Sequence, residues 1–230
     1  MYRENIYDVM NATGEKISTL VIPKNTGLKG YAWQVLKEAG LKLDDAKQAG
    51  RNKLKLGGLT LVLKRGEDIP QLVADYAAIR SEVVLGVTGD DLFDEFKFRV
   101  PKNTLQVENT YDWFDENARY FRPTLCFINM TGNVEDVPLE SRIAINGKYE
   151  LTSRAYLRGS PLTQGKKFAE TTYSGDIELT VAEGTNDCCI DTVYTRKTLD
   201  ENGLKVIQKI RFSDLVVISP LKKKKAFLER

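Results

Sequence analysis

The sequence contains no histidine among its 230 residues. This absence excludes Ser-His and Cys-His nucleophilic catalysis, and it also excludes the zinc sites that depend on an imidazole ligand. An enzyme with this sequence must therefore carry out a reaction that needs no imidazole as acid, base or metal ligand.

Cysteine is scarce as well. The three cysteines are Cys126, Cys188 and Cys189, an odd number with two of them adjacent in an apolar run. Such a set does not predict a disulfide framework, and it is typical of proteins from a reducing compartment. Buried strand cysteines are the favoured interpretation, and a metal-binding or nucleophilic role is the alternative.

The chain also lacks long apolar runs and a strong charge imbalance. No segment reaches the length of a membrane span, and residues 1–16 are too polar for a secretory signal, so we expect a cytoplasmic protein. The net charge of +2 gives no electrostatic reason to expect binding to nucleic acid or to an anionic membrane. The lysine run Lys222–Lys225 is interpreted as a solvated tail.

Three strand-loop-helix patterns in the first half of the chain predict a parallel α/β sheet. Strands are expected at Ile17–Ile22, Leu59–Leu63 and Val83–Val87, and helices at Leu28–Ala39, Ile69–Ala78 and from Leu92. In such sheets ligands bind at the carboxyl ends of the strands. The polar loops at those ends hold Lys24, Arg65 and Asp91.

The second half, from Phe121 to Leu204, predicts another α/β unit. Strands are expected at Thr124–Met130, Arg142–Ile145 and Asp187–Val193, helices at Leu151–Arg158 and Ile177–Glu183, and final strands at Lys205–Ile210 and Leu215–Ile218. Residues 97–122 are interpreted as an insertion or crossover, and Thr163–Lys167 as a polar loop. We assign residues 1–118 and 205–230 to a first lobe and 119–204 to a second, with a cleft between them.

The segment from Gly175 to Leu204 suggests a binding site. An apolar strand carries Asp187 and Asp191 and continues directly into Thr195-Arg196-Lys197-Thr198 and a helix start. Loop amides, hydroxyls and the positive helix end are how proteins bind phosphate. A carboxylate beside such a loop can accept hydrogen bonds from two ribose hydroxyls. The alternative is a strand followed by a solvated turn.

Spaced motifs along the chain follow a known family pattern. They are Gly175, Glu178, Gly184 and Asp187; Asp191, Val193, Thr195, Thr198 and Leu199 with Asn202-Gly203-Leu204; Arg142-Ile143-Ala144 with Lys148-Tyr149 and Leu151-Thr152; Arg65, Asp68, Ile69 and Pro70; Gly86, Gly89, Asp91 and Leu92; and Leu36, Ala39 and Gly40. In this order they resemble the catalytic region of the ATP phosphoribosyltransferases, over Ile17 to Asp94 and Arg122 to Ser219.

The chain departs from the family pattern in two loops. Arg196 stands where the family has glycine after its first threonine, a position where glycine permits close approach to phosphate. The first loop is Lys24-Asn25-Thr26-Gly27, whereas the family usually has Lys-Gly-Arg or Asn-Lys-Gly-Ser. These departures bear on activity more than on fold.

The resemblance implies an α/β fold of two lobes like that of the type II periplasmic binding proteins, each lobe a mixed, mostly parallel sheet with flanking helices. It implies that N1 of the adenine of ATP displaces pyrophosphate from C1 of phosphoribosyl pyrophosphate, the first step of histidine biosynthesis. Mg²⁺ would be bound mainly through the substrate pyrophosphate. The length is that of the short form, which implies a homo-oligomer with a regulatory subunit similar to histidyl-tRNA synthetase.

The resemblance also assigns expected roles. Lys24 and Arg65 are the expected catalytic residues; Asp187, Asp191, Thr195, Arg196, Lys197, Thr198 and Leu199 are expected to bind phosphoribosyl pyrophosphate; Lys24, Arg51, Arg65, Asp91 and Glu178 are expected to bind ATP. Loop or helix capping is the alternative for Asp187 and Asp91, and surface ion pairing for Lys24, Arg51 and Arg65. The alternative functions are a non-catalytic nucleotide or small-ligand sensor, and a phosphoribosyltransferase with another acceptor.

Overall fold

A computed structural model describes residues 17–24, 26–38, 52–56, 58–80, 83–195 and 197–221. Within these ranges the chain forms two α/β units, each built on its own sheet. The expected lysine tail at Lys222–Lys225 lies outside the described residues. Among the described residues, no helix has the length and apolar composition that crossing a bilayer would require.

The first unit contains the described residues up to Thr88, together with Lys102–Tyr111 and the described residues from Leu215 onward. Its strands are β1 (Thr19–Pro23), β2 (Lys53–Leu56), β3 (Leu59–Lys64), β4 (Val84–Gly89), β5 (Leu105–Tyr111) and β11 (Leu215–Pro220), and its helices are α1 (Thr26–Glu38) and α2 (Ile69–Arg80). The sheet order is β2-β3-β1-β4-β11-β5.

The three predicted strand-loop-helix patterns are confirmed. β1 pairs in parallel with β3 on one side and with β4 on the other. All five residues of β1 are buried, as expected for a strand that lies in the middle of a parallel sheet with both faces covered. This arrangement brings the loops that follow β1, β3 and β4 to one edge of the sheet.

The second unit contains Gly89–Pro101 and Asp112–Asp214. Its strands are β6 (Thr124–Asn129), β7 (Glu140–Asn146), β8 (Lys167–Tyr173), β9 (Cys188–Val193) and β10 (Lys205–Phe212), and its helices are α3 (Asp90–Arg99), α4 (Glu150–Gly159), α5 (Ile177–Ala182) and α6 (Lys197–Glu201). The sheet order is β10-β6-β9-β7-β8. β7 is parallel to β8 and β9, and β6 is antiparallel to β9 and β10.

The unit boundaries differ from those expected. β10 pairs with β6 over its whole length, so the second sheet extends past residue 204. Arg211 of β10 also donates hydrogen bonds to Asp94 Oδ2 at 2.6 Å and to Asp90 Oδ2 at 2.8 Å, which fixes α3 to the second sheet rather than to the first. These long-range contacts leave no local signal in the sequence.

One predicted irregular segment contains a strand. Residues 97–122, expected as an insertion or crossover, include β5, which pairs antiparallel with β11. The polar loop predicted at Thr163–Lys167 is confirmed: a 3₁₀ turn ends at Thr163, and a short connection leads to β8. The sequence did not predict β8, a largely exposed edge strand beside β7. Both strands lie at sheet edges, where polar and charged residues are common.

Candidate active site

Asp191 is a buried acid near the carboxyl end of β9. Cys126 of β6 lies directly opposite it. Asn146, at the end of β7, donates a hydrogen bond from Nδ2 to Asp191 Oδ1 at 2.8 Å, and the Thr192 amide donates to the same oxygen at 2.7 Å. No described residue donates to Oδ2, so this oxygen can accept a hydrogen bond from a ligand.

The surroundings of Asp191 favour its protonated form. Burial and, after it, the charge of Glu178 in the first turn of α5 raise the pKa of this carboxyl, which is about 7. Hydrogen bonds from Thr192 and Asn146 and the charge of Lys148 act in the opposite direction. Because burial disfavours a charge that has no full counter-ion, Asp191 changes protonation near neutral pH.

The residues after β9 form the expected loop and helix start. Thr195 is exposed directly after the strand, and Lys197 opens α6 with its amine 3.9 Å from Glu201, a weak exposed ion pair. Leu199 is buried in the core with Val193 and Leu204. The Leu204 amide donates to the Leu199 carbonyl at 2.8 Å. Leu199 therefore fixes the loop to the core, and its buried side chain is not available to a ligand.

Asp187 lies at the other end of β9 and has protein partners. It accepts hydrogen bonds from the Arg142 amide at 2.7 Å (Oδ2) and from the Arg142 Nη2 at 3.1 Å (Oδ1). The guanidinium bonds lower the pKa of Asp187. Arg142 also donates to the Gly184 carbonyl at 3.0 Å. These contacts connect the starts of β7 and β9, and they favour the capping alternative for Asp187 over contact with ribose.

Asp91 is buried at the start of α3. Its Oδ2 accepts a hydrogen bond from Ser213 Oγ at 2.6 Å, and its Oδ1 accepts the Leu92 amide at 2.8 Å. Tyr149 is buried nearby. Burial raises the pKa of the Tyr149 hydroxyl most, and the charge of Asp91 raises it as well. These partners favour the capping alternative for Asp91 over direct contact with ATP.

Lys24 and Arg65 lie at the same edge of the first sheet. Pro23 pairs with Lys64 at the ends of β1 and β3, and the Lys24 amide donates to the Lys64 carbonyl at 2.7 Å. Both side chains are exposed. Neither forms an ion pair with another described residue, so the surface ion pairs given as their alternative are absent from this part of the structure.

Three of the expected site residues cannot be located in full. Arg51 and Arg196 lie outside the described residues, as does the side chain of Thr198. The sequence did not predict two residues of this region. Asn146 contacts Asp191, and Arg119 contacts Tyr194, the residue before Thr195. Neither contact leaves a local pattern in the sequence. The motif Lys148-Tyr149 includes Lys148, but the sequence did not predict that its charge acts on Asp191.

The described residues contain no cluster of three or more cysteine, aspartate or glutamate side chains that could hold a metal ion. Mg²⁺ needs near-octahedral oxygen coordination and commonly takes most of its ligands from substrate phosphates and water. A Mg²⁺ ion at this site would therefore take its coordination largely from a bound substrate and from water.

Comparison with solved structures shows the fold. The ATP phosphoribosyl transferase (HisG:HisZ) complex from Thermotoga maritima matches 89% of this chain and 88% of the compared chain, with a TM-score of 0.64 and 20% identity. A periplasmic sulfonate-binding protein from Methylobacillus flagellatus matches 89% of this chain, with a TM-score of 0.56 and 16% identity. The expected fold class, two α/β units of the periplasmic-binding-protein type, is confirmed.

Comparison of sequences shows the family. The ATP phosphoribosyltransferase of Prochlorococcus marinus subsp. pastoris is 27% identical over 215 residues, 87% of this chain and 86% of the relative. That of Rhodopirellula baltica is 26% identical over 86% of this chain and 60% of the relative. The sequence model of the family (HisG: ATP phosphoribosyltransferase) matches residues 65–229. The match includes the loop that follows β9, and the chain belongs to the ATP phosphoribosyltransferase family.

Proposed function

We propose that the chain transfers the phosphoribosyl group of phosphoribosyl pyrophosphate to N1 of ATP, releasing pyrophosphate, as the first step of histidine biosynthesis. The observation that carries the proposal is the position of Asp191, a buried carboxylate with a free oxygen, four residues before Thr195 in a member of this family. Family membership supports the reaction, and the geometry supports the assignment of roles.

The phosphoribosyl end of the substrate binds at the carboxyl end of β9. The 5-phosphate accepts hydrogen bonds from the loop amides and from the hydroxyls of Thr195 and Thr198, and Lys197 and Arg196 add positive charge. Leu199 holds this loop against the core. Asp191 Oδ2 accepts a hydrogen bond from a ribose hydroxyl. Asp187 remains outside this site, because Arg142 occupies both of its oxygens.

The reaction proceeds by displacement at C1 of the ribose. The adenine N1 lone pair forms the new C–N bond while the C–O bond to pyrophosphate breaks, and pyrophosphate leaves with the electron pair. N1 carries no proton that a base must remove, so a chain without histidine can catalyse the step. The protein contributes by orienting two bound substrates and by stabilising the charge of the leaving group.

Cationic side chains stabilise that charge, and a Mg²⁺ ion, when bound, would add positive charge at the pyrophosphate. Lys24 and Arg65 are exposed at one edge of the first sheet without an ion-pair partner among the described residues, which leaves both charges available to phosphates. Arg51 has the same expected role from its sequence position. Mg²⁺ would be bound mainly through the substrate pyrophosphate. The charge of Glu178 acts on Asp191. Asp91 positions α3.

The chain works as a short-form catalytic subunit in the cytoplasm. The related Thermotoga maritima structure is a complex of two different proteins, HisG and HisZ. We expect a homo-oligomer that binds an equivalent subunit similar to histidyl-tRNA synthetase.

Pyrophosphate release tests the proposal. The chain, with ATP, phosphoribosyl pyrophosphate and Mg²⁺ and with the partner subunit added, should release pyrophosphate and form phosphoribosyl-ATP. Asp191→Asn should lower kcat/KM by about 10²-fold, since it removes a charged hydrogen bond to the reacting sugar. The exposed Asp200→Asn on α6 is the matched control and should retain activity.

The same assay distinguishes the alternatives. Binding of phosphoribosyl pyrophosphate without pyrophosphate release would support a sensor. Release with an acceptor other than ATP would support a different phosphoribosyltransferase. If calorimetry detects no binding of phosphoribosyl pyrophosphate, both enzyme assignments are wrong.

A further inference from the structure

Arg119 carries a buried donor that no described residue accepts. Its Nη1 is inaccessible to solvent and has no hydrogen-bond partner in the part of the chain that the structure describes. A buried, unpaired donor on a charged group is destabilising, because no hydrogen bond compensates for its loss of hydration. A guanidinium is matched in shape and charge to a carboxylate or phosphate, which it can bind through two parallel hydrogen bonds. The position of this donor therefore points to an anion supplied from outside the chain.

The backbone of Arg119 is joined to the loop that follows β9. Its amide donates to the Tyr194 carbonyl at 2.8 Å, and Tyr194 directly precedes Thr195. The Tyr194 hydroxyl in turn bonds to Asp115, in the same segment as Arg119. Two hydrogen bonds thus hold the segment 115–119 against the start of the loop, so that Arg119 and Thr195 are neighbours in space.

The guanidinium lies on the face of the second sheet to which Asp191 belongs. It stacks 5.6 Å from the centre of the Tyr120 ring, and Tyr120 packs against the core cluster that contains Cys126, Val193 and Leu199. Burial raises the pKa of Cys126 to about 12, and the nearby charge of Arg119 opposes that rise. Cys126 is the residue directly opposite Asp191, so the Arg119 charge acts on the sheet face that also carries Asp191.

Two other arginines of this unit, Arg122 and Arg211, are neutralised by carboxylates, whereas Arg119 has no carboxylate partner among the described residues. Arg122 pairs with Asp214 at 3.0 Å, and Arg211 pairs with Asp90 and Asp94. Lys209, whose Nζ lies 4.5 Å from the same Tyr120 ring, shares the lack of an ion-pair partner among the described residues, but it is exposed. Solvent satisfies Lys209, whereas the buried Nη1 of Arg119 needs an acceptor.

We propose that Arg119 is a ligand of the 5-phosphate of phosphoribosyl pyrophosphate, binding it through the guanidinium from beside the Thr195–Leu199 loop. The inference rests on the proposed function, because it names a further residue of the same site. It also bears on the loss of glycine at position 196, since a guanidinium beside the loop supplies donors to the phosphate that do not depend on close approach of the loop backbone.

Calorimetry with the two ends of the substrate tests the assignment in the full chain. Ribose 5-phosphate and pyrophosphate with Mg²⁺ are the probes. Arg119→Gln should weaken ribose 5-phosphate binding about tenfold or more, because a charge-assisted hydrogen bond is lost, and should change pyrophosphate binding less than twofold. Arg119→Lys keeps the charge without the planar fork, and it should weaken ribose 5-phosphate binding by a smaller factor.

Lys209→Gln is the matched control, since it removes the other cation from the Tyr120 ring without touching the loop. It should change ribose 5-phosphate binding less than twofold. Equal weakening of both probes by Arg119→Gln, or no weakening of ribose 5-phosphate, would show that Arg119 only clamps Tyr120 and would overturn the inference. If the wild-type chain binds neither probe nor the intact substrate, the proposed function itself is wrong.

Discussion

Asp191 shows how one side chain can be both structurally costly and useful. A carboxyl buried in an apolar sheet face beside another acid is disfavoured as an anion, which is why its pKa rises to about 7. The two hydrogen bonds to Oδ1 orient the group. A sugar hydroxyl that donates to Oδ2 would stabilise the anion further, so substrate binding and proton release are coupled at this residue.

The coupling predicts a pH dependence of substrate affinity. Below pH 7 Asp191 is mostly protonated and must release its proton on binding, so KM for phosphoribosyl pyrophosphate should fall as the pH rises through about 7 and become constant above it. Glu178→Gln removes the like charge and should move this midpoint to lower pH. Steady-state kinetics between pH 5.5 and 9, at roughly half-unit steps, measures the midpoint of KM against pH for the wild-type chain and for Glu178→Gln.

Two variants separate the contribution of Asp191 from that of the substrate phosphate, which also titrates near pH 6. Asp191→Asn should retain only the phosphate contribution, and the exposed Glu183→Gln, just after α5, should leave the wild-type midpoint unchanged. A Glu178→Gln midpoint that equals the wild-type midpoint would contradict the electrostatic contact between Glu178 and Asp191.

Arg196 stands where the family pattern has glycine. Arg196→Gly restores the family residue in the loop, and we expect activity to survive within about threefold, because the loop amides and the flanking threonines remain. The measurement is kcat/KM for phosphoribosyl pyrophosphate. A complete loss of activity would mean that the Arg196 charge is essential.

The start of α4 depends on an acid from another helix. Glu95 of α3 is buried and accepts hydrogen bonds from the Leu151 amide at 2.9 Å, from the Thr152 amide at 2.9 Å and from the Thr152 hydroxyl at 2.9 Å. It thereby satisfies amides that the first turn of a helix leaves unpaired, and it adds negative charge at the positive helix end. α3 and α4 are joined by this cap.

Removing the cap should lower stability more than removing a surface ion pair. Glu95→Gln should reduce the free energy of unfolding by about 1–3 kcal/mol, because the amides lose a charged acceptor. Glu170→Gln, which breaks the exposed pair with Arg154 at 2.7 Å, should cost less than about 1 kcal/mol. Urea unfolding compares the two, and equal losses would contradict a capping role for Glu95.

Gly86 of β4 is required by the packing of α2. A Cβ at this position would lie 2.7 Å from Val73 Cγ2 and 2.8 Å from Ile69 Cγ2. Gly86→Ala should therefore cost about 1–3 kcal/mol of stability through overpacking. Gly30→Ala on α1 is the control, since nothing lies within 4 Å of its added Cβ, and it should be neutral or stabilising by up to about 1 kcal/mol. Thermal unfolding measures both; an unchanged Gly86→Ala midpoint would contradict the packing argument.

The sequence predicts the buried elements well and the edge elements poorly. β1, β4 and β9 are mostly apolar and almost wholly buried, as expected for covered strands, and their positions agree with the expected ones within one or two residues. β8 reads Lys-Phe-Ala-Glu-Thr-Thr-Tyr and is mostly exposed. Its pairing with β7 depends on backbone hydrogen bonds, which the periodicity of the side chains does not predict.

For the site, local motifs predict position but not partners. The loop after β9 and the buried acid Asp191 follow from the strand pattern and the family motif. Arg119 and Asn146 do not, because their contacts connect segments far apart in the chain. Asp91 and Asp187 match motifs equally well, and only the structure gives them Ser213 and Arg142 as partners.

The two units are both interrupted in sequence. The chain passes between them near residues 88, 101, 111 and 214, so neither unit is a continuous stretch of sequence. A truncated half would lack strands from its own sheet, since β5 and β11 of the first sheet each follow a segment of the second unit. Functional tests therefore need the whole chain.

Rescue of a histidine auxotroph tests the chain as a whole. We expect growth without histidine when the chain is expressed together with a histidyl-tRNA-synthetase-like subunit, and weaker growth or none with the chain alone. An Asp191→Asn chain of equal expression is the control and should not support growth. Growth that does not depend on the added subunit would contradict the need for a partner.

The contact between Arg142 and Asp187 bears on how function is assigned to relatives of this chain. Both residues belong to motifs that mark the family, yet they bind each other at the ends of β7 and β9 that lie away from the substrate loop. A genome survey that scores these two positions therefore selects proteins able to form this sheet, whether or not they retain the chemistry. A survey for working enzymes gains more from Asp191 and the residues of the loop after it.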